Sequence, residues 1–172
     1  MSIARISKDI YKIGLPNFRD NCYLVNLGTY YILIDSTSGE YINDVIRSIL
    51  EIIVDKNKLS YIILTSCLKN SAGGACEIHR IFGTKIVSHY PDSISIRHGN
   101  CNNQTIDSCE VFMELRKNVE TIENLYIFNT KTPTLGSIII RLNNIMFIGN
   151  SKISIEDKNI KIVCDNIDCW KI

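Results

Sequence analysis

The sequence predicts an α+β fold: two β-sheets packed face to face, with helices on the outside. Three observations lead there. Hydrophobic residues make up 45% of the 172 residues, enough for a sizeable core and too many for a disordered chain. The elements run from a strand-rich start with one helix, through strand–helix alternation, to a long second run of strands. No repeat, low-complexity tract or linker interrupts them, so residues 1–172 read as a single domain.

Residues Ile3 to Ile13 read as an opening strand, broken at Leu15-Pro16-Asn17. Asn21 to Leu27 is a second strand, Gly28-Thr29 a hairpin signal, and Tyr30 to Asp35 the returning strand. A helix follows, with Ile42, Val45, Ile46, Ile49, Leu50 and Ile53 at helical spacing and Ser38 as the expected N-cap. Asp55 to Lys58 ends it. Leu59 to Leu64 is a strand, Cys76 to Phe82 a helix stopped by Gly83, and Thr84 to His89 another strand. Pro91 and Asp92 open a short helical turn to His98, and Gly99 to Ser108 reads as a polar surface loop. Strands then dominate: Val111 to Leu115, Leu125 to Phe128, Gly136 to Leu142, Ile145 to Ile148 and Ile160 to Cys164. Asn143-Asn144 is a hairpin turn, because Asn tolerates positive φ.

Charge excludes some functions. Nineteen Lys and Arg against eighteen Asp and Glu leave a formal charge of +1, with no basic run that would track phosphates. Nucleic acid is therefore not an expected partner. No apolar stretch is long enough for a bilayer span, and Met1 to Tyr11 lacks a signal peptide's apolar block. The expectation is a cytoplasmic protein with no membrane partner. Thirty-two Ile point to an AT-rich genome, that of a thermophilic archaeal source.

The chain is cysteine-rich, with Cys22, Cys67, Cys76, Cys101, Cys109, Cys164 and Cys169. None forms a C-x-x-C pair, so neither a zinc ribbon nor a thioredoxin-type motif is present. Most are expected to be small buried apolar residues. Disulfides become an option in a hyperthermophile, where Cys101 with Cys109, or Cys164 with Cys169, would close short loops.

The stretch from Thr65 to Gly74, Thr-Ser-Cys-Leu-Lys-Asn-Ser-Ala-Gly-Gly, lies between a strand and a helix. Its frame resembles the T-H-x-H-x-D-H-x-G-G motif of the metallo-β-lactamase superfamily, with the threonine and both glycines in place. Five further segments stand in register, among them Phe82 to His89, which resembles the strand after the motif helix. Asn21-Cys22-Tyr23-Leu24-Val25 resembles the family's N-C-Y-L-V strand, and Ile32-Leu33-Ile34-Asp35 the strand ending in L-I-D. Thr130 to Ile138 resembles T-P-G-H-T-P-G-S-I, and Phe147-Ile148-Gly149-Asn150 resembles F-x-G-D. The resemblance spans Asn21 to Asn150 and implies a four-layer αββα sandwich, compact and short at its C-terminal end.

The resemblance also places the family's metal ligands, and every one is replaced. They fall on Ser66, Leu68, Asn70, Ser71, Pro133 and Asn150, and nothing after Asn150 is a histidine. Leu68 and Pro133 have no side-chain donor, and hydroxyls and neutral amides are poor ligands for zinc or iron. The expectation is no metal and no cofactor, with no catalytic residue assigned. Without the metal, the nucleophile that it would activate is lost.

Other residues offer little to rebuild a site. Cys67 lies between two of these positions, and alternation along an extended loop points it away; a structural role is expected of it. Cys76 and His79 share a helix face but lack a second pair to complete a metal site. His89 ends a strand and is expected to be a hydrogen-bonded structural histidine, with His98 at the surface. If the cleft remains open, Ser66, Asn70, Ser71, Thr134 and Asn150 would line it, with Cys67 and His89 as further candidates. The functional expectation is a catalytically inactive protein acting as a binding or structural subunit, with a protein partner or in a homodimer. The alternatives are a small-molecule binder using the emptied cleft, and a divergent metal-independent hydrolase.

Overall fold

The computed structural model describes residues 2–15 and 20–172, so Pro16 and Asn17 of the expected break lie outside the described residues. The chain opens with β1 (Ser2–Ser7) and β2 (Ile10–Gly14), paired antiparallel. The expected single strand from Ile3 to Ile13 is thus a hairpin, turning at Lys8-Asp9 without a Gly or Asn to mark it. Next come β3 (Asn21–Asn26), β4 (Tyr31–Ile34) and α1 (Ile42–Ile52). Ser38 is not the cap of α1: Tyr41 holds that position, and the Ser38 hydroxyl instead accepts a hydrogen bond from Glu40 N, 3.4 Å away, in the preceding turn.

Then follow β5 (Leu59–Ile63), α2 (Lys69–Ala72), α3 (Ala75–Phe82), β6 (Lys85–His89) and α4 (Asp92–His98). Gly83 ends α3 in the left-handed region, at φ 69°, where glycine is favoured. The segment expected to be a polar loop holds a small hairpin, β7 (Asn100–Cys101) and β8 (Gln104–Thr105). Next are β9 (Met113–Leu115), β10 (Val119–Ile122), β11 (Leu125–Asn129), β12 (Ile138–Leu142), β13 (Ile145–Gly149), β14 (Ile162–Asp165) and β15 (Cys169–Lys171).

Two sheets result. The first has the order β1-β2-β3-β4-β5-β6-β9, and the second β10-β11-β12-β13-β14-β15. In the first, β4, β5, β6 and β9 run parallel; in the second, only β13 and β14 do. Central strands are buried on both faces, and alternation divides their side chains between two cores. Cys22, Leu24, Leu33 and Ile62 pack towards the helices, against Val45, Ile49, Ala75, Ile78 and Ile96. Tyr23, Val25, Ile32, Ile34 and Ile63 pack towards the second sheet, against Leu125, Ile127, Ile138, Ile140 and Phe147.

The α-helices of the described residues lie on the first sheet's side. The outer face of the second sheet, with Ile139, Met146, Ile148 and Val163, is covered by Ile153, Ile155 and Ile160 of an irregular segment. Its fourth layer is therefore largely non-helical.

Three disulfides cross-link the chain: Cys67–Cys101, Cys76–Cys109 and Cys164–Cys169. Six of the seven cysteines are therefore cross-linked, contrary to the expectation that most would be free buried residues, and of the two optional short bridges the one between Cys164 and Cys169 is present. Cys101 and Cys109 do not pair with each other, because both face the segment that carries Cys67 and Cys76. Cys22 is free and buried, and burial pushes its thiol well above the usual range.

Candidate functional site

Parallel pairing brings the C-terminal ends of β4, β5, β13 and β14 to one end of the sandwich. Asp35 follows β4, Thr65 and Ser66 follow β5, Asn150 follows β13 and Asn166 follows β14. The two sheets touch there through Gly149, in the left-handed region at φ 56°; a Cβ on it would lie 2.1 Å from Thr65 Oγ1. That contact sets Asn150 against the loop holding Ser66, Asn70 and Ser71.

Four of the six residues aligned with the family's ligands converge. Asn70 and Asn150 form a reciprocal amide pair: Asn70 Nδ2 donates to Asn150 Oδ1 at 2.7 Å, and Asn150 Nδ2 donates to Asn70 Oδ1 at 2.9 Å. Asn150 Nδ2 also lies 3.0 Å from Ser71 Oγ and 3.5 Å from Ser66 Oγ. Ser66 Oγ donates to Ser71 Oγ at 3.2 Å. Ser66 and Ser71 are buried, and Asn70 and Asn150 half-buried. The other two positions stay apart. Leu68 packs against the helix-side core, and Pro133 is exposed behind a cis peptide bond.

Asp35 is the hub beneath this cluster, fully buried and at φ 59°. It accepts from Thr65 N at 2.7 Å, from Thr65 Oγ1 at 2.7 Å, and from Asn166 Nδ2 at 3.0 Å. Burial pushes its carboxyl up to about 7, although these hydrogen bonds to Thr65 and Asn166 oppose the rise. The sequence showed Asp35 only as a strand end. Asn166 carried no signal at all, since nothing in its neighbours marks a polar residue that reaches across the sandwich.

Neither Cys67, His89 nor Thr134 lines a groove at this cluster. Cys67 is disulfide-bonded and packs in the helix-side core. His89 places Nδ1 2.5 Å from Tyr90 O and Nε2 2.9 Å from Lys117 O, so it ties down the chain beyond β9. Thr134 Oγ1 donates to Asp92 Oδ2 at 2.5 Å. Asp92, read from sequence as a helix opener, also accepts from Cys67 N at 2.7 Å and Gly136 N at 2.9 Å. It latches the motif loop to the second sheet. Cys76 accordingly serves as a cross-link, while His79 Nδ1 lies 2.5 Å from Thr84 O at the end of α3.

The groove beside the amide pair holds about 310 Å³ and is lined by Asn70, Gly149, Asn150, Ser151, Lys152, Asp165, Asn166 and Ile167. Its donor chemistry does not fit a catalytic zinc or iron. The two amides satisfy each other, the hydroxyls are weak ligands, and two aligned positions supply no donor. Among the described residues no three His, Cys, Asp or Glu side chains gather as a metal site.

No protein-family model and no curated protein matches the sequence. Solved structures do match the fold. A Cronobacter sakazakii metallo-β-lactamase with a HARLDQ motif superposes with a TM-score of 0.79 at 13% identity, over 96% of this chain and 78% of its own. MIM-1, a metallo-β-lactamase of Novosphingobium pentaromativorans, gives 0.81 at 15% identity, over 96% and 76%. A subclass B3 metallo-β-lactamase with an active-site glutamic acid gives 0.80 at 15% identity, over 100% and 83%.

Proposed function

We propose that this chain, which has the fold of the metallo-β-lactamases, works by binding and not by catalysis. It serves as a binding or structural subunit, with a protein partner or as a homo-oligomer. The observation that supports this reading is the Asn70–Asn150 amide pair, closed over Ser66 and Ser71 at the positions aligned with metal ligands. A fold alone does not fix a function, and here the side chains argue against the fold's usual chemistry. Neutral amides also avoid the high cost of unpaired carboxylates in a cavity without a cation.

The direct test is the metal content of the protein purified without chelators. The expected result is substoichiometric zinc, iron and manganese; one equivalent held through dialysis would overturn the reading. Sedimentation of the purified chain, and identification of chains that co-purify from its native cell at fixed stoichiometry, would then separate an oligomer from a subunit.

A second reading, binding of a small molecule, is favoured by the open groove of about 310 Å³ next to the amide pair. As to compartment, three disulfides favour an oxidising environment outside the cytoplasm, and a cytoplasmic location is consistent with them only for a hyperthermophile source, where intracellular disulfides persist. The described residues contain no helix long and apolar enough to cross a membrane.

A further inference from the structure

Each of the two large sheets ends in edge strands whose outer backbone groups face no further strand: β1 and β9 in the first, β10 and β15 in the second. Folded proteins defend such edges against pairing with another chain. A register shift breaks β1 between Arg5 and Ser7, and Arg5 folds over the break, donating to Ser7 O at 3.2 Å and Lys8 O at 2.8 Å. β9 and β15 are only three residues long, and Asp168 Oδ1 accepts from Cys169 N at 2.8 Å on β15.

β10 lacks these defences. It runs Val119-Glu120-Thr121-Ile122, without Gly or Pro, in unbroken antiparallel register with β11. Asn129 N donates to Asn118 O at 2.9 Å. By alternation Glu120 and Ile122 then bond to β11, while Val119 and Thr121 turn their N–H and C=O groups outward. Their side chains are exposed as well, Val119 by 55%, and they share the outer face of the sheet with Tyr126, exposed by 51%. Charge is divided along the strand, with exposed Arg116 and Lys117 before it and exposed Glu123 in the turn after it.

We infer that β10 is the docking edge for β10 of a second copy of this chain, paired antiparallel about a two-fold axis so that the two second sheets become one. The inference rests on the homo-oligomer reading above and names its surface. With Val119 opposite Thr121 of the other copy, every outward backbone group of these two residues is paired, and two β-branched side chains meet beside Tyr126. The antiparallel direction sets the basic end at Lys117 near Glu123 of the other copy, whereas a parallel one would set like charge against like. Glu120 meets its own equivalent at the axis, but its carboxylate is turned back to accept from Arg116 N at 3.0 Å and Lys117 N at 3.2 Å.

The test is sedimentation of the full chain from about 1 μM to 1 mM, the range of a small, weak interface, with hydrogen exchange on the same samples. A dimer is expected, and the Val119 and Thr121 amides should gain protection as concentration rises. Thr121→Pro removes an outward N–H at an edge position where proline is tolerated, and should fold and stay monomeric. Should it not fold, Val119→Lys, which places a charge on the edge, should give the same monomer. Glu123→Lys is expected to weaken the dimer about tenfold, since the two-fold axis repeats the loss, and adding Lys117→Glu should restore it. A dimer that survives both Thr121→Pro and Val119→Lys would overturn the assigned edge and leave the homo-oligomer reading standing. A monomer at every concentration would overturn the inference and leave the reading as a subunit beside a different protein. One bound equivalent of metal would overturn the non-catalytic reading alone.

Discussion

At the scale of single residues, Asn150 and Asp35 make opposite arguments. Asn150 donates through Nδ2 to Asn70 Oδ1 and Ser71 Oγ, so its amide sets the polarity of the cluster. Asn150→Asp keeps the shape and replaces that donor with an acceptor. It should lower the unfolding free energy by about 1–2 kcal/mol in urea titration at neutral pH. It should also bind no more zinc than the parent, because Leu68 and Pro133 still offer no donor; a rise to one equivalent would contradict the donor argument. Asp35 is raised by burial to about 7, against a usual value of 3.8. The folded state thus holds this proton more tightly than the unfolded state does. The contribution of Asp35 to stability is complete below about pH 3.8 and is lost as pH rises through about 7, at most about 4 kcal/mol in all. Asp35→Asn should flatten the corresponding part of the stability–pH curve, measured by denaturant unfolding from pH 4 to 8. A parent curve that rises across that range, with no change in the variant, would refute the assignment.

At the scale of elements, the motif loop and α3 are held covalently by one neighbour. Cys67 and Cys76 bridge to Cys101, within β7, and Cys109, beyond β8, with sequence separations of 34 and 33 residues. The hairpin adds a hydrogen bond from Lys69 N to Gln104 Oε1 at 3.0 Å. Closing loops of this length should stabilise the fold by about 3–4 kcal/mol each, in the chain-entropy view. The double variant Cys76→Ala/Cys109→Ala is expected to lose about 3 kcal/mol by guanidinium unfolding, and to lose hydrogen-exchange protection first at 99–110. Unchanged protection there would mean that packing of Ile106 and Val111 suffices. These pairings were not legible in the sequence: seven cysteines allow many pairings, and only β6 and α4 together bring residues so far apart into reach. The Cys164–Cys169 bridge was open to the sequence as an option because only five residues separate the pair, and the β14–β15 hairpin is what closes it.

At the scale of the whole molecule, two sheets enclose one core and a second core lies under the helices. The outer face of the second sheet rests on Ile153, Ile155 and Ile160 instead of a packed helix. An irregular cover makes fewer backbone hydrogen bonds of its own, so this face should exchange amide protons faster than the helix-side core. Hydrogen-exchange mass spectrometry should find residues 151–160 less protected than 42–52. Equal protection would indicate a partner or a second copy seated there.

The sequence alone determined the fold, through alternation in strands such as Asn21 to Leu27, helical spacing in α1, and motif frames that kept their glycines. It also determined which donors are missing, because a leucine or a proline cannot ligate a metal in any arrangement. The tertiary structure alone decided what the remaining polar groups do. Hydrogen-bond partners such as Asn70 with Asn150, or Asp35 with Asn166, are separated by 80 and 131 residues. Local patterning carries no information at that range. Those pairings exist because parallel strands of two sheets end at the same place.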